Sequence, residues 1–207
     1  MKIYLMRHGE TDWNKEGKLQ GSADIPLNEN GIRLAQETAQ ALKELPFEVI
    51  YSSPLCRARK TAELMRLERQ IPIFEDARLK EMSFGRYEGD SIYQAAHDAE
   101  NPLYKFIREP ENFKAQDGEN FSDVIARAQN FIDEVLLPAQ KEYSTVLITA
   151  HGAFIRCFLR CIENRPLSAF WGGIPLKNCC VTVMELQGMN IKILEEGRIL
   201  YEPKPFT

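Results

Sequence analysis

Residues 2–11 read KIYLMRHGET, and this stretch indicates how the chain folds. Lys2–Met6 is predicted to form a short β-strand, because its residues alternate and include β-branched and aromatic side chains. Arg7 and His8 follow that strand directly. In open α/β sheets, ligands bind in the crevice beyond the carboxyl ends of the strands. The stretch therefore predicts an α/β fold with functional side chains at the end of its first strand.

Two more predicted strands end in similar residues. Thr145–Ala150 is an unbroken apolar run, typical of a buried strand, and His151 follows it. Glu48–Tyr51 is followed by Ser52-Ser53-Pro54, with Arg57 close behind. Helix N-termini and arginine side chains both bind phosphate groups. Three strand ends that supply two histidines and two arginines therefore predict a phosphate site with a nucleophile inside it.

Helices are predicted between the strands. Asn28 is a suitable N-cap for the first of them, and Ser53 with Pro54 is a typical helix start. The predicted helices are Asn28–Leu45, a helix from Ser53 to about Arg69, Phe121–Leu137 and Gly152–Ile162, and the remaining predicted strands are Ile71–Phe74, Cys180–Leu186 and Ile191–Leu194. Strands that alternate with helices predict a three-layer αβα sandwich with a mostly parallel central sheet.

One region interrupts this alternation. Residues from about 83 to 120 are polar and irregular, and short helices are predicted there at Ile92–Asp98 and Leu103–Arg108. No repeat or linker divides the chain. We therefore expect a single domain over residues 1–207, with a small helical cap inserted at about 83–120.

The composition excludes several classes of protein. Of the 207 residues, 44% are hydrophobic and 27% are charged, which is ordinary for a folded globular chain and excludes collagen and disorder. Twenty-six basic against 30 acidic residues give a net charge of −4, so nucleic-acid binding is not expected. Apolar stretches are too short for a signal peptide or a membrane span. We expect a soluble protein with no membrane contact.

The cysteines and histidines bear on location and metal binding. Five cysteines without regular spacing predict reduced thiols in a cytoplasmic protein. Cys157 and Cys161, one helical turn apart, are interpreted as small core residues rather than metal ligands. The three histidines, His8, His97 and His151, show no metal-ligand spacing. We therefore expect neither a metal nor another cofactor.

The motifs at the strand ends resemble those of the histidine phosphatase superfamily, also called the phosphoglycerate mutase-like family. The resemblance runs in order along nearly the whole chain. The matching segments are Arg7-His8-Gly9-Glu10-Thr11, Ser53-Pro54-Leu55, Arg57-Ala58, Thr61-Ala62, Glu81 with Phe84-Gly85, Glu88-Gly89, Gly118-Glu119 and His151-Gly152. Several matches in the right order make a chance similarity implausible.

The resemblance implies phosphoryl transfer in two steps through a phosphohistidine. His8 would be the nucleophile that attacks phosphorus. Arg7, Arg57 and His151 would bind the phosphoryl oxygens, on which charge spreads during transfer. Without the resemblance, each of these residues could have a purely structural role. His8 could be a polar loop residue, His151 a core histidine, and Arg57 could form an ion pair along its helix.

Two further roles are carried over from the family. Glu81 matches the general acid, which would protonate the leaving oxygen and later activate water. Glu10 and Glu88 are other carboxylates close by in sequence. Asn14 lies where the family often places an asparagine that contacts phosphate.

The function that this resemblance implies first is a metal-independent acid phosphatase acting on small phosphorylated metabolites. Within that branch, a broad-specificity enzyme and an α-ribazole-phosphate phosphatase are both candidates. A cofactor-dependent phosphoglycerate mutase is an alternative, although mutases of the family are usually longer. A non-catalytic, phosphate-binding regulatory module is an alternative of another class.

The substrate is not determined by these motifs. Four basic residues of the cap region could contact a second anionic group or lie on the solvated surface: Arg86, Lys105, Arg108 and Lys114. His97 is interpreted as a surface residue. The number of subunits is left open.

Overall fold

A computed structural model describes residues 1–201 of the chain. The strands are β1 (Lys2–Arg7), β2 (Val49–Ser52), β3 (Ile73–Glu75), β4 (Thr145–Ala150), β5 (Val181–Gln187) and β6 (Asn190–Arg198). The helices are α1 (Asp12–Lys15), α2 (Glu29–Ala41), α3 (Cys56–Arg66), α4 (Ile92–His97), α5 (Tyr104–Arg108), α6 (Phe121–Phe131), α7 (Leu137–Ala139) and α8 (Gly152–Glu163). Among these residues, no helix has the length and apolar content to cross a membrane.

The six strands form one sheet in the order β3-β2-β4-β1-β5-β6. The four strands from β3 to β1 are parallel, whereas β5 and β6 are antiparallel to their neighbours. Arg7, the last residue of β1, is paired with Ala150, the last residue of β4. His8 and His151 therefore leave adjacent strands at the same edge of the sheet.

Alternate residues of β1 enter two different hydrophobic clusters. Ile3 and Leu5 pack with apolar residues of α6 and α8. Met6, on the opposite face, packs with residues of α2 and α3. Because side chains of a strand alternate between its faces, the sheet lies between two helical layers. The expected α/β fold, with a mostly parallel central sheet and helices on both faces, is confirmed.

Several predicted helix limits differ from the observed ones, among them the end of α2 and both ends of α3. Asn28 caps α2 as expected and accepts a hydrogen bond from the Gly31 N–H at 2.8 Å. However, α2 ends at Ala41, because the next carbonyls turn toward the Arg69 guanidinium, which donates to Leu42 at 3.0 Å. The prediction that Ser53 caps the next helix is wrong. α3 begins at Cys56, and the Ser53 hydroxyl contacts His151 instead.

The helix predicted at Phe121–Leu137 also departs from regular geometry. α6 continues into a π-helical turn at Ile132–Leu136 before α7. A π turn holds one residue more than an α turn and so rotates the following side chains. Val135, which lies about four turns after Phe121 and would share its apolar face in a regular α-helix, is only half-buried, whereas Leu136 is buried.

The segment expected to form a cap contains α4 and α5, each within one residue of its prediction. Phe106 of α5 is 2% exposed. Its ring contacts four aromatic side chains with centroid separations of 4.9–5.4 Å, namely Phe84, Phe113, Phe121 and Trp171. This aromatic cluster attaches the two short helices to the sheet edge where His8 and His151 lie.

Candidate active site

His8 is held by the backbone immediately after β1. Its N–H donates to the Ala150 carbonyl at 3.0 Å, which continues the β1–β4 pairing by one residue. Its Nδ1 lies 2.6 Å from the Gly9 carbonyl oxygen, and the ring is 2% exposed. A carbonyl can only accept, so Nδ1 carries the proton. Nε2 is left with its lone pair, as a nucleophile requires.

The surroundings of His8 keep its imidazole neutral. Burial lowers the pKa of His8 well below its ordinary value, and the positive charges of Arg57 and Arg7 lower it further. The hydrogen bond to Gly9 acts in the opposite direction. Desolvation and like charge dominate, so the unprotonated nitrogen is available at neutral pH.

His151 faces His8, with ring centroids 5.1 Å apart. It is fully buried, and its Nε2 lies 2.8 Å from the Ser53 hydroxyl oxygen. That hydroxyl accepts from the Leu55 N–H at 3.3 Å and can donate its own proton to His151. Nδ1 of His151 is then the protonated nitrogen, and it is buried without a hydrogen-bond partner among the described residues. Burial, with Arg57 next, lowers the pKa of His151 as well.

Arg7 and Arg57 are anchored by backbone carbonyls rather than by carboxylates. Arg57 is fully buried and donates to the carbonyls of Ala23 and Gly21, both at 2.7 Å. Arg7 donates to the Leu176 carbonyl at 2.6 Å. Within residues 1–201 neither has a carboxylate oxygen within 4.0 Å, and each has a buried Nε without a partner. Both arginines can therefore bind an anion. The ion pair along the helix that was considered for Arg57 is not formed among the described residues.

The Glu81 side chain lies at the N-terminus of α8, the helix that begins directly after His151. Its carboxylate accepts from the N–H groups of Phe154 at 2.9 Å and Ala153 at 3.2 Å, and from its neighbour Met82 at 2.9 Å. The other two nearby carboxylates are used elsewhere: Glu10 accepts from Asn28, and Glu88 accepts from Ser22. Glu81 is therefore the carboxylate that the fold brings to the site.

Asn14 joins the site through a capping arrangement. Thr11 caps α1, and Asn14 Oδ1 accepts from the Thr11 N–H at 3.2 Å and from Asn178 Nδ2 at 3.1 Å. Sequence analysis missed Asn178. The same amide group also contacts the carbonyls of His8 at 3.1 Å and Gly9 at 3.2 Å. Asn178 thus connects the loop of His8 to Asn14, and nothing in its local sequence indicates that contact.

Five of these side chains line a cavity of about 490 Å³, whereas the fully buried His151 ring, which faces His8, is not part of the cavity surface. Arg7, His8, Asn14, Arg57 and Glu81 all contribute to its surface. A volume of this size holds a small-molecule ligand, and a phosphate group fills only part of it. The five side chains predicted from separate parts of the sequence thus meet in a single pocket.

Of the four basic cap residues, only Arg108 lines this cavity. Lys105 and Lys114 line a separate surface pocket, and the Arg86 guanidinium lies over the Tyr87 ring at 5.3 Å. Two cations that were not predicted, Lys18 and Arg156, also line the cavity.

The remaining candidates lie outside the cavity. His97 is exposed and stacks on Tyr93 with a centroid separation of 4.2 Å, as a surface residue would.

In the part of the chain that the structure describes, no three His, Cys, Asp or Glu side chains cluster as metal ligands. Fixed cations, a neutral imidazole and a carboxylate together can bind a phosphate group, attack it and transfer a proton.

Comparisons with known proteins identify the family of this chain. The family model of the histidine phosphatase superfamily (branch 1) matches residues 3–197. A probable phosphoglycerate mutase of Escherichia fergusonii is 30% identical over 90% of this chain and 86% of its own length. The structure of Bacillus stearothermophilus YhfR is 33% identical, covers 95% of this chain and 96% of its own, and has a TM-score of 0.87.

A third relative was crystallised with a ligand. A phosphoserine phosphatase from Entamoeba histolytica, in complex with phosphoserine, is 29% identical over 96% of this chain and 98% of its own, with a TM-score of 0.78. The resemblance inferred from the motifs is thereby confirmed. This chain belongs to branch 1 of the histidine phosphatase superfamily.

Proposed function

We propose that this protein is a phosphomonoesterase that hydrolyses small phosphorylated metabolites through a phosphohistidine intermediate. One observation carries the proposal: the neutral His8 imidazole, with Nε2 unprotonated, lies near the buried Arg57 and the half-buried Arg7, and within residues 1–201 neither arginine has a carboxylate partner. Such a site attracts a dianion and presents a nucleophile to it.

In the first step, His8 Nε2 attacks phosphorus and the bond from phosphorus to the leaving oxygen breaks. Arg7, Arg57 and the His151 Nδ1–H stabilise the charge on the three equatorial oxygens, as electrostatic catalysis requires. Glu81, in its protonated form, gives its proton to the leaving alkoxide. The product alcohol departs, and the phosphoryl group stays on His8.

In the second step, a water molecule attacks the phosphorus atom of phosphohistidine. Glu81, now a carboxylate, accepts the water proton, the phosphorus–nitrogen bond breaks and inorganic phosphate leaves. His8 Nε2 regains its lone pair. Throughout both steps the other ring proton stays on Nδ1, hydrogen bonded to the Gly9 carbonyl. Asn14, whose amide nitrogen has no hydrogen-bond partner within residues 1–201, contacts a phosphate oxygen in both steps.

The chemistry proposed here needs no metal, since arginines supply the positive charge. We also infer a cytoplasmic location, because all five cysteines are free thiols, the state that the cytoplasm maintains. The segment at about 83–120 acts as a cap that carries part of the substrate pocket.

A phosphoglycerate mutase is the second candidate, favoured by the similarity to a probable mutase over most of the chain. In that reaction the phosphohistidine would return its phosphoryl group to a sugar acid instead of to water. The two reactions share every residue described above, so only the acceptor distinguishes them.

The test is phosphate release from a panel of small phosphomonoesters between about pH 5 and 8, with EDTA present. The panel includes 3-phosphoglycerate with and without its bisphosphate primer, and His8→Ala is the negative control. We expect chelator-resistant release that requires His8. Isomerisation of primed phosphoglycerate without release would identify a mutase. Inactivation by EDTA would contradict the mechanism, and phosphate binding without turnover would indicate a regulatory module.

A further inference from the structure

The cavity extends well beyond the groups that would hold phosphate. Its other walls are mostly apolar, and the aromatic side chains Phe84, Phe106 and Trp171 contribute to them. Trp171 is held in place by its Nε1–H, which donates to the Phe106 carbonyl at 2.6 Å. The leaving group of a substrate would lie against this wall. Cations beside the wall would then favour leaving groups that carry a negative charge.

Arg156 is one of those cations. It lies on α8 one turn after Ala153, whose N–H contacts Glu81, and its guanidinium lies 6.0 Å from the centre of the Trp171 ring. It donates to the carbonyls of Gly172 at 2.9 Å and Ile174 at 3.2 Å. Its position is therefore fixed by neutral acceptors, and the carboxylate whose charge acts on it most, Glu196, already pairs with Arg165.

Arg108, on α5, is the second such cation that lines the cavity. Its Nε donates to the Ala96 carbonyl at 2.9 Å. Within residues 1–201, neither Arg108 nor Arg156 has a carboxylate oxygen within 4.0 Å. Lys18, the third cation of this part of the cavity, differs because Glu16 neutralises it at 2.7 Å.

The environment of Arg156 strengthens the case for an anionic ligand. Partial burial lowers the pKa of its guanidinium, and the negative charge of Glu196 offsets this effect only in part. Apolar walls also limit the water that could screen such a charge, so an anion in the cavity interacts with it strongly. Elsewhere in the described chain, Arg78, Arg127 and Arg165 all have carboxylate partners.

We propose that the preferred substrates carry a second anionic group, a carboxylate on the leaving group, which Arg156 binds with help from Arg108. This inference rests on the proposed phosphatase function and specifies its substrate class. The leaving group would extend along the aromatic wall from the phosphate end to Arg156.

A matched pair of compounds tests the proposal. 4-(Carboxymethyl)phenyl phosphate and its amide, 4-(carbamoylmethyl)phenyl phosphate, have similar shapes and leaving groups but differ in charge. We expect the wild-type protein to show a kcat/KM about tenfold or more higher for the acid than for the amide. In Arg156→Gln that ratio should approach one, whereas Arg156→Lys should restore part of it and Arg108→Gln should reduce it less. Arg86→Gln, outside the cavity, should keep the wild-type ratio.

Equal kcat/KM values for acid and amide in the wild-type protein would overturn the subsite, as would a preference that survives in an Arg108→Gln, Arg156→Gln double variant. A wild-type protein that hydrolyses neither compound would contradict the phosphatase function instead. The subsite is then judged from the dissociation constants of the same two compounds, and equal constants would overturn it.

Discussion

Each functional side chain of the site is held by hydrogen bonds to the backbone or to a neighbouring side chain. His8 depends on the Gly9 carbonyl for its tautomer, and His151 depends on Ser53. Glu81 depends on amides of α8. These contacts decide which atom carries a proton, so substitutions at this scale should change the chemistry more than the fold.

Glu81→Gln should slow the release of poor leaving groups most. Glutamine cannot give up a proton, so hydrolysis of an alkyl phosphate should fall by about 10²–10⁴-fold. p-Nitrophenyl phosphate should lose far less, because nitrophenolate leaves without a proton. Steady-state kcat on both substrates is the measurement, with the exposed Glu111→Gln as control. Equal losses on the two substrates would remove Glu81 from the acid role.

Asn178→Ala should lower kcat by up to about 10²-fold, because a small displacement of a reacting group has that effect on rate. The amide of Asn178 contacts both the His8 loop and Asn14, so its loss frees the nucleophile and a phosphate ligand together. Asn190→Ala, at the exposed start of β6, is the matched control. A change in thermal stability without a change in kcat would show that Asn178 only supports the fold.

At the scale of elements, a capping signal was followed where the capping atom had no competing partner. Asn28 Oδ1 caps α2 while the Nδ2 of the same side chain donates to Glu10, whereas the Ser53 hydroxyl contacts a buried histidine. In the π turn after α6, Leu136 is buried, whereas Val135 is only half-buried. The short helices α4 and α5 are too short to be stable alone and depend on tertiary packing.

Phe106→Ala should therefore loosen α4 and α5 selectively. Removing a buried phenylalanine costs about 3–5 kcal/mol, and the four aromatic contacts of Phe106 all lie around these helices. Hydrogen exchange followed by mass spectrometry should show that, relative to the wild-type protein, the exchange rate rises more in residues 92–108 than in β1 and β4. Lys105→Ala, exposed on the same helix, is the control. Uniformly faster exchange over the whole chain would contradict this local role.

At the scale of the whole molecule, the sheet order brings together groups that are far apart in sequence. β4 pairs with β1 on one side and with β2 on the other, so their carboxyl ends meet at one edge. Two neutral histidines are buried there beside two arginines. Global stability should consequently depend on the ionisation of this site.

Stability should fall on mild acidification. Unfolded histidines titrate near pH 6.5, whereas burial places the pKa values of His8 and His151 lower. Between those pKa values the unfolded chain binds more protons, so the free energy of unfolding decreases as the pH falls below about 6.5, by at most about 1.4 kcal/mol per pH unit for each histidine. Urea unfolding at pH 7.5 and 5.5 measures the decrease. It should be smaller in His8→Gln and in His151→Gln, and an unchanged decrease in both would refute this account.

Much of the fold and most of the site followed from local features of the sequence. Strand β4 was predicted with its observed limits, and β1 within one residue, because apolar periodicity reports directly on burial. Arg7, His8 and His151 stand next to those strands, so their convergence followed from the parallel sheet. Glu81 and Asn14 were identified only through the family resemblance, since an isolated carboxylate or amide carries no local signal.

The tertiary structure alone decided the rest. Asn178 contacts residues about 170 positions away, Arg156 reaches the cavity through α8, and three of the four basic cap residues face elsewhere. The tautomers of His8 and His151 and the free charges of the arginines likewise depend on neighbours supplied by distant segments. The physical reason is that periodicity and capping act within a few residues, whereas hydrogen bonding, burial and electrostatics act through space between segments that only folding brings together.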